Sequence, residues 1–171
     1  MKRLSAVIFS TLTGASLWAG GFGAGVQTAF DLGENGAIAP RLEYLRLTDS
    51  STVAGQINLS ATVNCFTLGA DYDYFTGDRT GKGFYLLGGL GVALADFNVS
   101  GSASDGSTSS TTSHQTVLYP EAGVGYIFTR YLGVELLYKY LNFKDVVFAV
   151  DGVPVAYSFS GSLQASLVVR F

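Results

Sequence analysis

From Tyr157 to Phe171 the chain alternates. Odd positions hold Tyr157, Phe159, Gly161, Leu163, Ala165, Leu167, Val169 and Phe171. Even positions hold Ser158, Ser160, Ser162, Gln164, Ser166, Val168 and Arg170. A period of two is the mark of a β-strand with one apolar face. The run is far longer than the usual ~5–6 residues, and its length predicts a tilted membrane crossing of ~9–11 residues with an overhang.

The same pattern recurs upstream. Residues 22–32 set Phe22, Ala24, Val26, Phe30 and Leu32 against Gly23, Gly25, Gln27 and Asp31. Residues 38–47 set Ile38, Pro40, Leu42 and Tyr44 against Arg41 and Glu43, and residues 63–75 set Phe66, Leu68, Tyr72 and Tyr74 against Cys65, Thr67, Asp71 and Asp73. Strands are predicted likewise at 84–97, 117–128 and 132–143. Short connections at 33–36, 76–82 and 129–131 alternate with long ones at 48–61, 98–115 and 144–157. That alternation predicts an up-and-down antiparallel transmembrane β-barrel of about eight strands, all-β, with short turns in the periplasm and long loops outside. Ser100–Ser113 is nearly all Ser, Thr, Gly and Ala and predicts a loop that buries nothing. Asp151-Gly152 between two apolar runs predicts a hairpin turn and a ribbon above the membrane.

Seven strands are counted this way, whereas single-chain bacterial barrels have an even number. Counting back from a periplasmic C-terminus places the missing upward strand before residue 20. That region also carries Lys2 and Arg3, an apolar run Leu4–Leu12, and Gly14, Ala15 and Ala19. These features predict a signal peptide over 1–19, cut after Ala15 or Ala19, with the barrel over 20–171. The alternative is that Leu4–Ser16 is the first strand.

Composition narrows the class. Charged residues make up 13% of the 171, against a usual ~25%, while 48% are hydrophobic. No run of ~18 apolar residues follows the N-terminus, so no transmembrane helix is expected. A net charge of −3 without a basic cluster argues against nucleic acid. A lone Cys65 excludes an internal disulfide, and its expected role is a small inward filler.

A soluble ligand-binding barrel has the same period with the faces reversed. Three features favour the membrane. The polar face is rich in small residues, which suit a narrow lumen. Aromatic residues gather at strand ends: Tyr72, Tyr74, Phe84, Tyr126, Phe128 and Phe171 towards the periplasm, and Tyr44, Phe66, Tyr138, Tyr140, Tyr157 and Phe159 towards the outside. The apolar face carries almost no charge, with Arg46 excepted near the outer rim, where it can snorkel. The lumen then holds Asp31, Arg41, Glu43, Asp71, Asp73, Glu121, Glu135, Lys139, Gln164 and Arg170. Of these Arg41, Glu43, Glu121, Glu135 and Lys139 are the candidate salt-bridge network, a plug, with loose hydrated charges at the two mouths as the competing reading.

Catalytic signals are thin. His114 is the only histidine and has Ser109, Ser110 and Ser113 nearby, but it sits in the Ser/Thr-rich stretch without rigid support. Asp71 and Asp73 alone make a poor calcium site. No enzyme activity, metal or cofactor is expected.

The closing strand SGSLQASLVVRF (160–171) and the unit GVGYIFTRYLGVELLYKY (123–140) carry a resemblance. The chain resembles the small outer-membrane β-barrel superfamily of the OmpA transmembrane-domain, OmpX and opacity-porin type. The resemblance implies location in the cell outer membrane. It implies that Phe171 serves as an assembly signal read by the barrel-assembly machinery, and that outer-membrane lipid surrounds the fold. The expected function is a structural or interaction role that displays extracellular loops. The alternatives are a narrow pore for small solutes or ions and, behind it, a lipid-modifying barrel enzyme.

Overall fold

In the computed structural model, residues 5–13, 20–53, 57–77, 82–129, 131–150 and 152–170 are described. Ten strands follow one another: β1 Ser5–Thr13, β2 Gly20–Leu32, β3 Gly36–Val53, β4 Ile57–Phe75, β5 Gly83–Ala103, β6 Thr108–Thr129, β7 Leu132–Lys139, β8 Val146–Val150, β9 Val153–Tyr157 and β10 Ser162–Arg170. Eight of them form a closed barrel in the order β1-β10-β7-β6-β5-β4-β3-β2, and β8 with β9 makes a separate two-stranded sheet. Every pairing is antiparallel. Strand β1 occupies the upward place that the count of seven left open: it pairs with β2 from Ser5↔Ala29 to Thr13↔Gly21 and with β10 from Val7↔Arg170 to Ser10↔Leu167. The two candidate cleavage positions, Ala15 and Ala19, lie outside the described residues, as does Phe171.

The faces fall as a membrane barrel requires. Leu68, Leu90, Leu118, Leu136 and Leu167 point outward and are exposed, Leu118 by 80%. Glu135, Gln164 and Lys139 point inward and are buried. Aromatic pairs mark both ends of the outward band. Phe84 and Tyr126 meet at 4.6 Å near the periplasmic end, and Tyr44 and Phe66 at 4.9 Å near the outer end.

Along β4 the outward positions are Tyr74, Tyr72, Ala70, Leu68 and Phe66, then Asn64, Thr62, Ser60 and Asn58. The inward positions change in the opposite sense, from Asp73, Asp71 and Thr67 to Cys65, Val63, Ala61, Leu59 and Ile57. The same exchange occurs on β3 between Tyr44 and Arg46, on β5 between Leu94 and Asp96, and on β6 between Leu118 and Thr116. Below that level hydrocarbon surrounds the strands, so apolar groups face out. Above it water does, and the apolar side turns to the interior.

Two expectations are corrected above the membrane. The stretches read as long loops at 48–61 and 98–115 are mostly strand: β3 and β4 stay paired to Val53↔Ile57, and β5 and β6 to Ser102↔Thr108. Alternating hydroxyl and β-branched residues suit a half-wet pleat, so the Ser/Thr run continues a register already set inside the barrel. The turn is Ser104–Ser107, with Gly106 at φ 89°. There the Ser107 backbone N–H donates to Asp105 Oδ1 at 2.8 Å, which holds that carboxyl below the usual range.

Tyr157 and Phe159 were expected on the outer lipid-facing rim and are instead buried inward, 7% and 8% exposed. The ladder is interrupted over 158–161, and the parity of inward positions shifts there from odd to even. Gly161 sits under the Tyr138 ring, where a Cβ would collide with the hydroxyl. The predicted hairpin forms, with Gly152 at φ 73° and Val150 paired with Val153, but as its own sheet folded against the inner side of β4 to β6; Asp151 lies outside the described residues. Val150 lies where a Cβ on Gly101 would be, beside Leu59 and Phe148. With Leu45, Leu47, Val63, Phe97, Leu141, Phe143 and Phe159, the base of the hairpin closes the upper lumen with apolar side chains.

Candidate functional site in the barrel lumen

Below this apolar cap lies a layer of charge. Inward positions alternate along every strand, so β3 contributes Arg41 and Glu43, β4 contributes Thr67 and Asp71, β5 Tyr85, β6 Tyr119 and Glu121, and β7 Glu135 and Lys139. The Arg41 guanidinium joins three strands. Its Nε donates to Asp71 Oδ2 at 2.9 Å, one terminal nitrogen to Glu135 Oε2 at 3.0 Å and the other to Glu43 Oε1 at 3.3 Å. The Lys139 ammonium donates to Glu43 Oε2, lies 2.8 Å from Glu121 Oε2, and sits 4.9 Å from the centre of the Tyr119 ring. Tyr85 donates its hydroxyl to Glu135 Oε1, and Thr67 donates to Glu43 Oε2 at 3.3 Å. Arg41 and Lys139 are 1% and 0% exposed.

Glycines make the room. Gly125 is the register partner of Tyr85 and Gly91 of Tyr119, and a Cβ at either would strike the facing phenol. An eight-stranded barrel leaves an interior just wide enough for side chains. Here two large rings, two long cations and four carboxylates occupy it. Beneath them Ala37, Phe75, Leu87, Ile127 and Leu137 form a second apolar layer with the Tyr85 ring. The ion-pair layer is thus held between apolar groups above and below. Chemically it can hold charge in place across the pore.

The structure brings Arg41, Glu43, Glu121, Glu135 and Lys139 into one connected set. Sequence reasoning placed Asp71 in the lumen but left it out of the set, and it missed Tyr85, Tyr119 and Thr67. The pairing of a large ring with a facing glycine is the signal that could have found the two tyrosines. Asp73 and Gln164 are buried inward, whereas Asp31 is exposed at the periplasmic end of β2. The side chains of Arg170 and Phe171 are outside those described. His114 is on a strand, on the outward face, with Nδ1 against Asp96 Oδ1, both largely exposed. No group of three or more His, Cys, Asp or Glu suited to a metal exists among the described residues. Cys65 is buried inward within the apolar cap.

A closed antiparallel barrel with an apolar outer band, two aromatic rims and a polar lumen is the architecture of a transmembrane β-barrel protein. The chain matches the family model described as the outer membrane protein beta-barrel domain over residues 6–171, and it belongs to that family. Its place is the cell outer membrane.

Solved structures agree on the fold. A major outer membrane protein from Thermus thermophilus superposes with a TM-score of 0.56 at 15% identity, over 99% of this chain and 100% of that one. Ail, the attachment invasion locus protein of Yersinia pestis, gives 0.53 at 11% identity, over 98% and 97%. The N-terminal β-barrel domain of Pseudomonas aeruginosa OprF gives 0.50 at 15% identity over the whole of both chains. Identities this low establish the fold alone. No curated protein matches the sequence.

Proposed function

We propose that this chain is a non-conducting outer-membrane barrel whose working part is the body it raises above the membrane, and that it carries out no catalysis. The observation that carries the reading is the double closure of the lumen: the ion-pair layer of Arg41, Glu43, Asp71, Glu121, Glu135 and Lys139, and above it the apolar cap. An ion crossing it must separate buried partners, each separation costing roughly 3–5 kcal/mol. Meanwhile β3 to β6 climb well beyond the apolar band and present a paired, solvent-facing sheet. A fold with a sealed interior and an extended outer surface is suited to contact. Ail, which shares the fold, is by its name an attachment invasion locus protein, and that name is in keeping with the reading.

The test is single-channel recording of the purified chain in planar bilayers. The expected result is no steps at any voltage, both for the intact protein and for a variant in which residues 145–158 are replaced by a short Gly-Ser link. Steps from the intact protein would overturn the reading in favour of a narrow pore. Steps only from the shortened variant would move the seal from the charged layer to the cap.

A further inference from the structure

Two acids in the lumen meet across a strand that carries no side chain between them. Asp71 of β4 and Glu121 of β6 are both register partners of Gly89 on β5. A Cβ on Gly89 would collide with Asp71 Oδ1, and one on Gly69 of β4 would stand 3.2 Å from Glu121 Oε1. Asp71 thus leans over β5, and Glu121 reaches past β5 as far as β4. The two carboxyls come within hydrogen-bonding reach of each other. Both residues are buried, 1% and 4% exposed.

A carboxylate can only accept hydrogen bonds, and the donors around this pair point elsewhere. On β3, Arg41 directs Nε to Asp71 Oδ2 and its terminal nitrogens to Glu43 and Glu135. On β7, Lys139 directs its ammonium to Glu43, to Glu121 Oε2 and, at 3.4 Å, to the Tyr119 hydroxyl. On β5, Tyr85 donates to Glu135. Among the described residues none donates to Asp71 Oδ1 or to Glu121 Oε1. Asp73, two positions along β4, adds negative charge, and the inward polar groups described on β2 and β10 are uncharged amides and hydroxyls. In the ion-pair layer two cations stand against four carboxylates. Buried charge without a partner is expensive.

We propose that Asp71 and Glu121 hold one proton between them, so that a carboxyl–carboxylate hydrogen bond closes the lumen together with the ion pairs. The proton turns one acceptor into a donor and removes one of two like charges at close range. It leaves Arg41 and Lys139 their contacts with both acids. The proposal rests on the reading of this layer as a seal and adds the proton to its parts. It also fixes a dependence on acid. The unfolded chain ionises both carboxyls above about pH 4, whereas the folded chain carries one proton more. The folding constant therefore falls about tenfold per pH unit from there until the pair releases its proton. An ion-paired carboxylate contributes with the opposite sign.

The test is infrared spectroscopy of the full chain folded in phosphatidylcholine bilayers at neutral pH, read in the C=O stretch of protonated carboxyls. The expected result is a band that shifts in D2O, is lost in Asp71→Asn and in Glu121→Gln, and is kept in Asp105→Asn, which alters an exposed carboxyl outside the lumen. Heat-dependent gel mobility shows that each variant is folded. The urea transition gives a second reading. Between about pH 6 and 7 the folding constant of the wild type, relative to that of Glu121→Gln, should fall about tenfold. Should neither lumen variant fold, the wild type alone decides: its unfolding near pH 7 should release about one proton per chain. No band in the wild type, a band that survives both lumen substitutions, a ratio indifferent to pH, or no released proton overturns the inference. So does stability that rises with added sodium or calcium, which would put a metal ion between the two acids. Conductance is recorded separately, so steps from a protein that keeps the band would fault the seal and not the proton.

Discussion

Lys139 shows how tightly the lumen is determined. Its ammonium is the shared partner of Glu43 and Glu121, and it is fully buried. Replacing it by Met removes the cation and leaves two carboxylates without their main donor. Breaking a buried pair from one side costs roughly 3–5 kcal/mol. Lys139→Met should therefore lower the unfolding free energy of the lipid-folded protein by that amount, read from its urea transition, and Glu121→Gln should restore part of it by removing one stranded charge. An unchanged transition would mean that water already bathes these groups. At this scale the sequence revealed which residues face inward, because parity alone decides that. It did not reveal which carboxylate Arg41 would meet. Asp71 lies on the next strand, two positions from Arg41's register partner Gly69, and only the strand stagger sets that offset.

Among the elements, the β8–β9 hairpin is the part least visible beforehand. Asp151-Gly152 announced the turn, yet nothing local says that Val150 will settle on Gly101, since that contact joins residues far apart in sequence. The shift of parity at 158–161 was invisible because the alternation of residue types runs through it unbroken. A hydrogen bond ties the hairpin to the sheet: the Tyr157 hydroxyl donates to Asp49 Oδ2 at 3.5 Å. Burial, and the Asp49 carboxylate next to it, push the Tyr157 phenol above its ordinary value. A raised folded-state value means that the contribution is intact below the unfolded value of about 10 and is lost as pH climbs through the folded one. Amide exchange in residues 146–157 should thus be insensitive to pH-dependent loosening up to about pH 10 and show it above. In Tyr157→Phe that alkaline loosening should be absent, although the hairpin is less protected throughout.

For the molecule as a whole, the question is closure. An open seam in lipid would leave unpaired backbone groups at several kcal/mol each, and β1 removes it by pairing on both sides. Strand count and even parity made an eighth strand necessary from sequence; the N-terminal segment was ambiguous because a short apolar run serves equally as leader or strand. Cysteines placed at the partners Ile8 and Val169, with Cys65→Ser as background, should form a disulfide in the membrane-inserted protein, seen as a faster band on a non-reducing gel. A chain in which this pair stays reduced under oxidant would place another segment, or none, at the seam.

The exchange of apolar and polar faces along β3 to β6 has a consequence for where the protein rides. Because each strand carries its own waterline, at Tyr44, Phe66, Leu94 and Leu118, sliding the barrel outward would bring Leu and Phe into water. Sliding it inward would bring Arg46, Asn64 and Asp96 into oil. Depth is thus written into the strands themselves, and the outer body stands at a constant height over the lipid without any separate anchor to hold it there.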